Sequence, residues 1–495
     1  MTVKELSRKK IIWGGIAIVV LFLSFPIVFV AKTAFGEDGQ KLPIPKGFSN
    51  DASELSLTRI DSIVNVEKSP DSIVLQLKAL RAYAKKNHKP ISIAGARHSM
   101  GGHTMFRDGI VVNMRPYNQM SFDSKTDILT IGSGALWEDA INYLDKFDKS
   151  VAVMQAFSSF SIGGSISVNG HGWQKDSPPI SSSVVSFTLL KSDGKIVTCS
   201  RQENAELFSL VIGGYGLFGI ILDVKLKVVD NENMSFTRYK LPAKDYLPYF
   251  KKYASDDQNV KLVFGRLNVS DKQFLKNATL NVFRSTGKSL VKNPKKPASK
   301  TTEVKRLVFR SSVDSEYGKR LRWDLETNLG EFTADANISR NEILNDDVRL
   351  IENKDSGSTD ILQEYFIPER NFDKYIEKLK SVLPDPEIDL LNITIRNVYR
   401  DNDSYLNYAR ENVFGFVFLF NQKKTDEQEI AMRKLTQKLV KIAISNHGTY
   451  YLPYRLHVDK KTFRSVYPQA DAFFALKRKY DPEGVFDNKL YSHYR

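Results

Sequence analysis

Ile93-Ala94-Gly95-Ala96-Arg97-His98-Ser99-Met100-Gly101-Gly102-His103 is the stretch on which the reading of this chain turns. The residues leading into it, Pro90-Ile91-Ser92-Ile93-Ala94, alternate like a strand, and that strand ends in three glycines, an arginine and a hydroxyl. Such a turn aims several backbone N–H groups at one point. Glycines permit both positive φ and close approach, so the turn suits an anionic pyrophosphate. It lacks the G-x-G-x-x-G spacing of the dinucleotide fingerprint, and no Walker lysine follows.

Two more turns of the same kind lie downstream. Ser161-Ile162-Gly163-Gly164 leads to Asn169-Gly170-His171-Gly172, and Gly213-Gly214-Tyr215-Gly216-Leu217-Phe218-Gly219 opens directly into the run Ile220–Val229. Three Gly-rich turns in one domain point to one long, extended, doubly charged ligand. Between them, Ile73, Leu77, Leu80 and Ala84 recur at helical spacing from Ser69 to Lys86, started by Pro70-Asp71. Strands are expected at Ile110–Asn113, Ile128–Ile131, Val184–Leu190 and Lys195–Cys199, with a hairpin turn at Ser192-Asp193-Gly194. Helices fit Leu136–Phe147 and Ala205–Ile212. Strands and helices intermixed, with a hairpin, favour an α+β class over a purely parallel sheet.

From about 235 to 445 glycine thins out and charge rises. Alternating stretches at Leu262–Leu267, Ala278–Phe283, Leu391–Arg396 and Gly415–Phe420, with helical patterns at Asn371–Leu383 and Asp426–Ser445, predict a separate antiparallel-sheet domain with covering helices.

Composition narrows the class. A length of 495 residues exceeds one comfortable core, and 42% hydrophobic with 26% charged residues describes a globular chain. The net charge of +15 favours anionic partners, but no nucleic-acid module accompanies it, so none is expected. The basic cluster Lys288, Lys292, Lys295, Lys296, Lys300, Lys305 and Arg306 reads first as a solvated, mobile loop and second as a lipid or polyanion contact. Cys199 is the single cysteine, which excludes an intrachain disulfide and a Cys-based zinc site, and a small buried residue is its simplest role. Neither His103, a turn residue, nor His171, a structural hydrogen-bonder, shows metal-ligand spacing; His88 reads as solvated.

Ile11 to Ala31 is an uncharged apolar run. As a helix it is about 32 Å long, enough for a bilayer core of roughly 30 Å, and membrane helices tolerate a proline such as Pro26. Lys4, Arg8, Lys9 and Lys10 precede it, whereas Lys32, Glu37 and Asp38 follow. That asymmetry predicts a single-pass membrane protein with a cytoplasmic N-terminus and the large domain on the opposite, periplasmic or extracytoplasmic, side. A cleaved signal peptide is the rival, disfavoured by the length of the run.

The glycine-rich segments resemble the PCMH-type FAD-binding domain of the vanillyl-alcohol oxidase family. In style they sit closest to sugar-lactone (D-arabinono-1,4-lactone-type), alditol and decaprenylphosphoryl-ribose oxidases. The likeness spans about 55–230 and resumes at about 446–495, in Val466-Tyr467-Pro468, Phe474-Ala475-Leu476-Lys477 and Tyr480-Asp481-Pro482-Glu483-Gly484-Val485-Phe486-Asp487-Asn488. It implies an α+β fold with a two-subdomain FAD-binding domain, an antiparallel-sheet substrate (cap) domain and, with the run above, an N-terminal transmembrane helix. The layout is then a cytoplasmic N-terminus (1–10), an anchor (11–31), a linker (32–54), an FAD-binding domain (55–234), a substrate domain (235–445) and a segment (446–495) returning to the flavin site.

Carried over residue by residue, the resemblance implies FAD contacts from Ala94, Gly95, Ala96, Arg97, His98, Ser99, Gly101 and Gly102 at the pyrophosphate. It adds Ser161, Gly163, Gly164, Asn169 and Gly172 along the ribityl region, and Gly219 with Ile220 near the adenine. His98 falls where covalent members attach the flavin; the alternative is a noncovalent site in which His98 only hydrogen-bonds. Members with a second, cysteinyl link carry a Cys at about 155–164, and this chain has none.

On the substrate side, alternation puts Asn392, Thr394 and Arg396 on one face. Spacing fits a pocket or a solvent face equally, and the resemblance tips it towards a pocket. Gln363, Tyr365 and Arg455 join them as substrate contacts, with Glu364 between the first two. Tyr454 corresponds roughly to a lysine in the alditol and decaprenylphosphoryl-ribose oxidases and supplies no fixed charge. The implied chemistry is oxidation of a CH–OH group of a small-molecule polyol, sugar or aldonolactone. In it Tyr454 and His457 act as the base, Arg396 orients the substrate, and the electron acceptor is open. Reduction of a carbon–carbon double bond, or a non-catalytic flavin-fold binding protein, are the competing readings.

Overall fold

Ser69 caps the first long helix, α1 (Pro70–Lys86), by accepting the Ser72 N–H at 3.2 Å, with Asp71 in its first turn and Lys85 and Lys86 in its last. Both charge placements complement the helix dipole. Its apolar stripe, Ile73, Leu77 and Ala84, is buried against a parallel three-stranded sheet of β1 (Ser62–Asn65), β2 (Ile91–Ala94) and β3 (Ile110–Asn113), with β3 in the middle. The computed structural model of the chain describes residues 25–37, 39, 42–288, 290, 300–328, 338–346 and 348–495.

A second sheet follows. β4 (Met120–Asp123), β5 (Ile128–Gly132), β7 (Val184–Leu190), β8 (Ile196–Ser200) and β9 (Ile220–Asp230) run in the order β8-β7-β9-β5-β4, and β6 (Lys149–Val151) pairs with the far end of β9. All its pairs are antiparallel, and β7 and β8 form the expected hairpin. α2 (Trp137–Leu144), α3 (Ile162–Ser167) and α4 (Ala205–Val211) pack in the same core. The helix expected over Leu136–Phe147 tightens into a 3₁₀ turn at Asp145–Phe147. Cys199 is buried in β8, and burial pushes its thiol up to about 12, which suits a packing residue.

An eight-stranded antiparallel sheet makes the second half. β10 (Asn233–Pro242), β11 (Val260–Leu267), β12 (Asn277–Ser285), β13 (Ile338–Ser339), β14 (Ser358–Pro368), β15 (Asp389–Val398), β16 (Val413–Lys423) and β17 (Thr449–Tyr450) lie in the order β13-β10-β12-β11-β15-β16-β14-β17. α5 (Lys300–Arg310) and α6 (Glu316–Asn328) cover one face, while α7 (Phe372–Leu379) and α8 (Asp426–Ser445) pack on the other. α7 ends at Leu379, short of the expected Leu383, with Lys380 as its C-cap. One apolar core runs from the second sheet into the third, and the chain's last segment returns to the first: Ile91 N–H donates to Val485 O at 2.7 Å and Asp487 N–H to Ile91 O at 3.1 Å.

The transmembrane expectation falls largely outside this description, since residues 1–24 are not among the described ones. Residues 25–36 are helical, and among the described residues no helix is long and apolar enough to cross a membrane. Two expectations nearby need correction. The linker from Lys32 is partly structured: residues 32–36 continue the helix that starts at 25, and Glu37 receives a bidentate pair from Arg306 at 2.7 Å. Arg306 is therefore not part of a solvated loop but a buried residue of α5, its guanidinium held charged by Glu37 and Glu303. Lys292, Lys295 and Lys296 lie outside the described residues.

Candidate functional site

β2 delivers the chain into the first Gly-rich turn, and there the second turn meets it. A Cβ on Gly95 would stand 1.9 Å from Ser161 Oγ, so only hydrogen fits, and Ser161 Oγ accepts the Ala96 N–H at 3.2 Å. Arg97 takes φ +58°. Past Ser161 the chain enters α3, where Gly163 N–H donates to Ser133 O at 2.8 Å. The third turn closes the set: Gly213 N–H donates to Ile166 O at 3.0 Å and Tyr215 N–H to Ser167 O at 2.9 Å. Turns more than a hundred residues apart thus share one wall.

That wall lines a cleft of about 1380 Å³, counted with its open mouth. Gly95, Ala96, Arg97, His98, Ser99, Ser161, Gly163, Gly164, Gly216 and Gly219 contribute to it. Arg97 Nε, Ser99 Oγ and Thr104 Oγ1 are buried there without a protein partner. Buried polar atoms are rarely left so, which marks a polar, anionic occupant. His98 lies against the Phe160 ring, centroids 4.1 Å apart, with Nε2 3.2 Å from Ser159 O. Burial lowers its pKa, the Ser159 carbonyl opposing, so a neutral imidazole is favoured.

The substrate half supplies the opposite wall through Glu364 of β14, Arg396 of β15, Val417 of β16, and Tyr451, Pro453 and Tyr454 after β17. The Tyr454 hydroxyl donates to Glu364 Oε2 at 3.3 Å. His171 Nε2 stands 2.7 Å from Glu364 Oε1, a contact whose alignment is too poor for a good hydrogen bond. Burial alone would raise the Glu364 carboxyl. His171, Arg396 and Tyr454 together hold it below its ordinary value. Burial, and then the Glu364 charge, push the Tyr454 phenol well up, so it stays protonated. Arg396 Nε has no protein partner.

The pattern has known counterparts. The family description "FAD binding domain" matches residues 72–200. Residues 72–200 thus belong to an FAD-binding domain of the PCMH type. Among curated proteins the chain is similar to cytokinin dehydrogenase 2 of Arabidopsis thaliana, 25% identical over 243 residues covering 47% of this chain and 48% of that protein. It is 33% identical to cytokinin dehydrogenase 8 of Oryza sativa subsp. indica over 173 residues, 32% of each chain. L-gulonolactone oxidase of Mus musculus is 27% identical over 173 residues, 35% of this chain and 39% of that protein. The chain spans less than half the length of these relatives.

The residues present fit FAD. The cleft is lined by residues of all three Gly-rich turns and by His98, the set that a long dinucleotide would span. Gly95, Gly163 and Gly164 bring backbone to the cleft wall, and Arg97 brings a positive charge there. Gly95, Ala96, Arg97, His98, Ser99, Ser161, Gly163, Gly164 and Gly219 line the FAD cleft, as do Tyr454 and Arg396.

Other expected residues lie behind that surface. Ala94 is buried in β2, and Ile220 packs with Leu190 and Leu222 in the first sheet's core. Gly101, Gly102 and Gly172 admit protein instead of ligand: a Cβ would meet Tyr454 O at 2.4 Å, Lys489 Cδ at 2.3 Å and Met154 O at 1.9 Å respectively. Asn169 donates to Asp401 Oδ2 at 2.9 Å, away from the cleft.

On the substrate side the corrections are sharper. Gln363 and Tyr365 point to the other face of β14, under α8, where Gln363 donates to Thr436 Oγ1 at 2.8 Å and Tyr365 to Gln363 at 2.6 Å. Asn392 accepts from Arg266 at 3.0 Å and from Arg322 of α6 at 3.1 Å and donates to Thr394 at 2.9 Å, so both are engaged with protein outside the cleft lining. His457 and Arg455 engage Glu429 at 2.9 and 2.6 Å, outside the cleft lining. Glu364 and His171, not assigned to the reaction from sequence, take the place at the cleft. Strand parity could have found Glu364, since Gln363 and Tyr365 must share the opposite face.

Proposed function

We propose that the protein is an FAD-dependent oxidoreductase that oxidises a CH–OH group of a polyol, sugar or aldonolactone, with oxygen or another acceptor taking the electrons onward. The observation that carries this reading is the polar group Tyr454–Glu364–His171 with Arg396, set in the wall that faces the FAD turns. FAD, when bound, supplies the two-electron acceptor for the hydride. The chain's own residues do the rest. Arg396 offers a free N–H to a substrate oxygen. Tyr454 Oη receives the substrate's hydroxyl proton as its own passes to Glu364 Oε2, while the His171 ring lies beside the second carboxylate oxygen. This polar cluster, set in an otherwise largely apolar cleft, offers hydrogen bonds to a hydroxylated donor.

His98 bonds covalently to FAD in the same reading. A neutral imidazole is the form able to attack carbon, and its surroundings favour that form. Residues 11–31 anchor the chain in a membrane, the N-terminus cytoplasmic and the catalytic domain opposite, on the strength of the apolar run and its flanking charge. Protease added to sealed vesicles then digests one side only; a full-length product in the soluble fraction sinks the anchor.

The catalytic test is anaerobic bleaching of the purified yellow protein against polyols, aldonolactones and isoprenoid amines. Bleaching by a hydroxylated compound supports the proposal. Bleaching by amines alone, or by NADPH alone as a double-bond reductase requires, sinks it.

A further inference from the structure

Asp401 lies in the loop joining β15 to β16, in the substrate half, and the chemistry above makes no use of it. Its carboxylate is 1% exposed and fully engaged. Oδ1 accepts the N–H groups of Asp403 at 2.9 Å and Ser404 at 3.2 Å, while Oδ2 accepts the Ser404 hydroxyl and, at 2.9 Å, Asn169 Nδ2. Tyr408 of the same loop donates its hydroxyl to Asn169 O at 2.7 Å. Asn169 holds φ +48° within the second Gly-rich turn, a left-handed conformation uncommon for residues other than glycine and taken more readily by asparagine than by most.

The same point touches the third turn. A Cβ on Gly213 would lie 3.4 Å from Asn169 Cβ and 3.7 Å from Ser404 Cβ. The orientation of the Asn169 amide is set by its neighbours. The Ser181 N–H can only donate, and it meets Asn169 Oδ1 at 3.1 Å, which turns Nδ2 to Asp401.

We infer that Asp401 and Tyr408 are positioning residues for FAD: the β15–β16 loop of the substrate half locks Asn169 in its left-handed conformation and so holds the 161–172 turn in the shape that receives the cofactor. The inference rests on the reading that this turn contacts FAD. It means that the FAD site is completed by the half of the chain that chooses the substrate. A control is built into the loop. Asp403 pairs with Arg201 at 2.7 Å through both oxygens and binds the same loop to the same half without touching Asn169.

The experiment measures FAD affinity of the apo-protein by flavin fluorescence quenching, and apo-protein melting by circular dichroism. It uses the full chain in a His98→Ala background, so that FAD exchanges freely. Asp401→Asn sets one amide NH₂ against another. It is expected to weaken FAD roughly tenfold or more, the scale of a lost hydrogen bond to a charged group. Asn169→Asp added to Asp401→Asn restores donor facing acceptor and recovers affinity. Tyr408→Phe, which deletes one hydroxyl and keeps the ring, weakens FAD in the same direction and serves if Asp401→Asn does not fold. Asp403→Asn leaves affinity unchanged.

Parental affinity in both Asp401→Asn and Tyr408→Phe overturns the inference. So does a double variant no better than Asp401→Asn, or an Asp403→Asn loss that matches it for equal loss of melting temperature. Ser161→Ala is measured alongside. If it binds FAD like its parent, the underlying reading of the turn falls and this inference with it. If it binds weakly beside an unaffected Asp401→Asn, this inference falls alone.

Discussion

Tyr454 and Glu364 come from segments far apart in the chain, yet the Tyr454 hydroxyl donates to Glu364 Oε2 at 3.3 Å in the wall of the FAD cleft. The phenol is pushed up and the carboxyl held down, so at neutral pH a proton sits on Tyr454 and a charge on Glu364. Tyr454→Phe keeps the ring and removes the proton path. It is expected to lower kcat by roughly 100- to 10,000-fold, the span of general acid–base catalysis, while the flavin spectrum of the variant stays that of the parent. Stopped-flow bleaching under a single turnover measures it, and an unchanged rate would remove Tyr454 from the reaction.

Glu429 makes a pH prediction away from the cleft. Burial would raise its carboxyl, but His457 and Arg455 hold it far below its ordinary value. A carboxyl with a depressed folded pKa adds stability that is present above its unfolded pKa, about 4.3, and lost as pH falls below it. Glu429→Gln should therefore melt lower than the parent at pH 7, and the gap should narrow as the pH drops below about 4. Melting curves of both proteins across that range check it. A gap independent of pH would show that the ion pairs with Arg455 and His457 contribute nothing.

The three Gly-rich turns were legible because what they need is local. Gly95 has no room for a Cβ, and no other residue type meets that demand. Helices and strands with one buried face were legible for the same reason: α1 and α8 show their stripe in the sequence. β14 does not, because it is buried on both faces for most of its length and its pattern is nearly continuous. Without that strand's register, Gln363-Glu364-Tyr365 offers three polar candidates and no parity. The flanking pair looked eligible when only Glu364 faces the cleft.

The other displaced residues share one cause. His457 follows Tyr454 by three positions in a loop, where no periodicity says which side chains point inward. Glu429, a residue of α8, captures it. Asn392 and Thr394 do share a face with Arg396, as alternation requires, but α6 lays Arg322 on Asn392, whose amide in turn bonds Thr394, and Arg396 is left open to the cleft. Which helix covers which end of a sheet face is a tertiary fact, and a strand's own residues do not carry it.

His98 gives a prediction about the bond to FAD. The imidazole packs on Phe160 and touches Ser159, so His98→Ala removes a contact without cutting a network. The parent protein, denatured in acid, is expected to keep its yellow colour in the pellet. The variant, folded to within a few degrees of the parent, should release all of it to the supernatant. Colour released by the parent would leave His98 with a noncovalent role only.

Gly95 and Ser161 give the most direct test of the meeting of the turns. A methyl at Gly95 lies 1.9 Å from Ser161 Oγ and 2.9 Å from Ser161 Cβ, while the next atom, Gly164 N, is 4.0 Å away. Gly95→Ala therefore forces the two turns apart, at a cost of about 1–3 kcal/mol for an overpacked site. Its FAD affinity should fall with its stability. Replacing Ser161 by Gly in the same protein removes both clashing atoms. It forfeits only the Ala96 hydrogen bond, so Gly95→Ala/Ser161→Gly should regain most of the melting temperature that Gly95→Ala alone loses. Two substitutions this close do not add independently, and a double variant simply as unstable as the sum of the singles would mean that the first and second turns do not touch where the structure joins them.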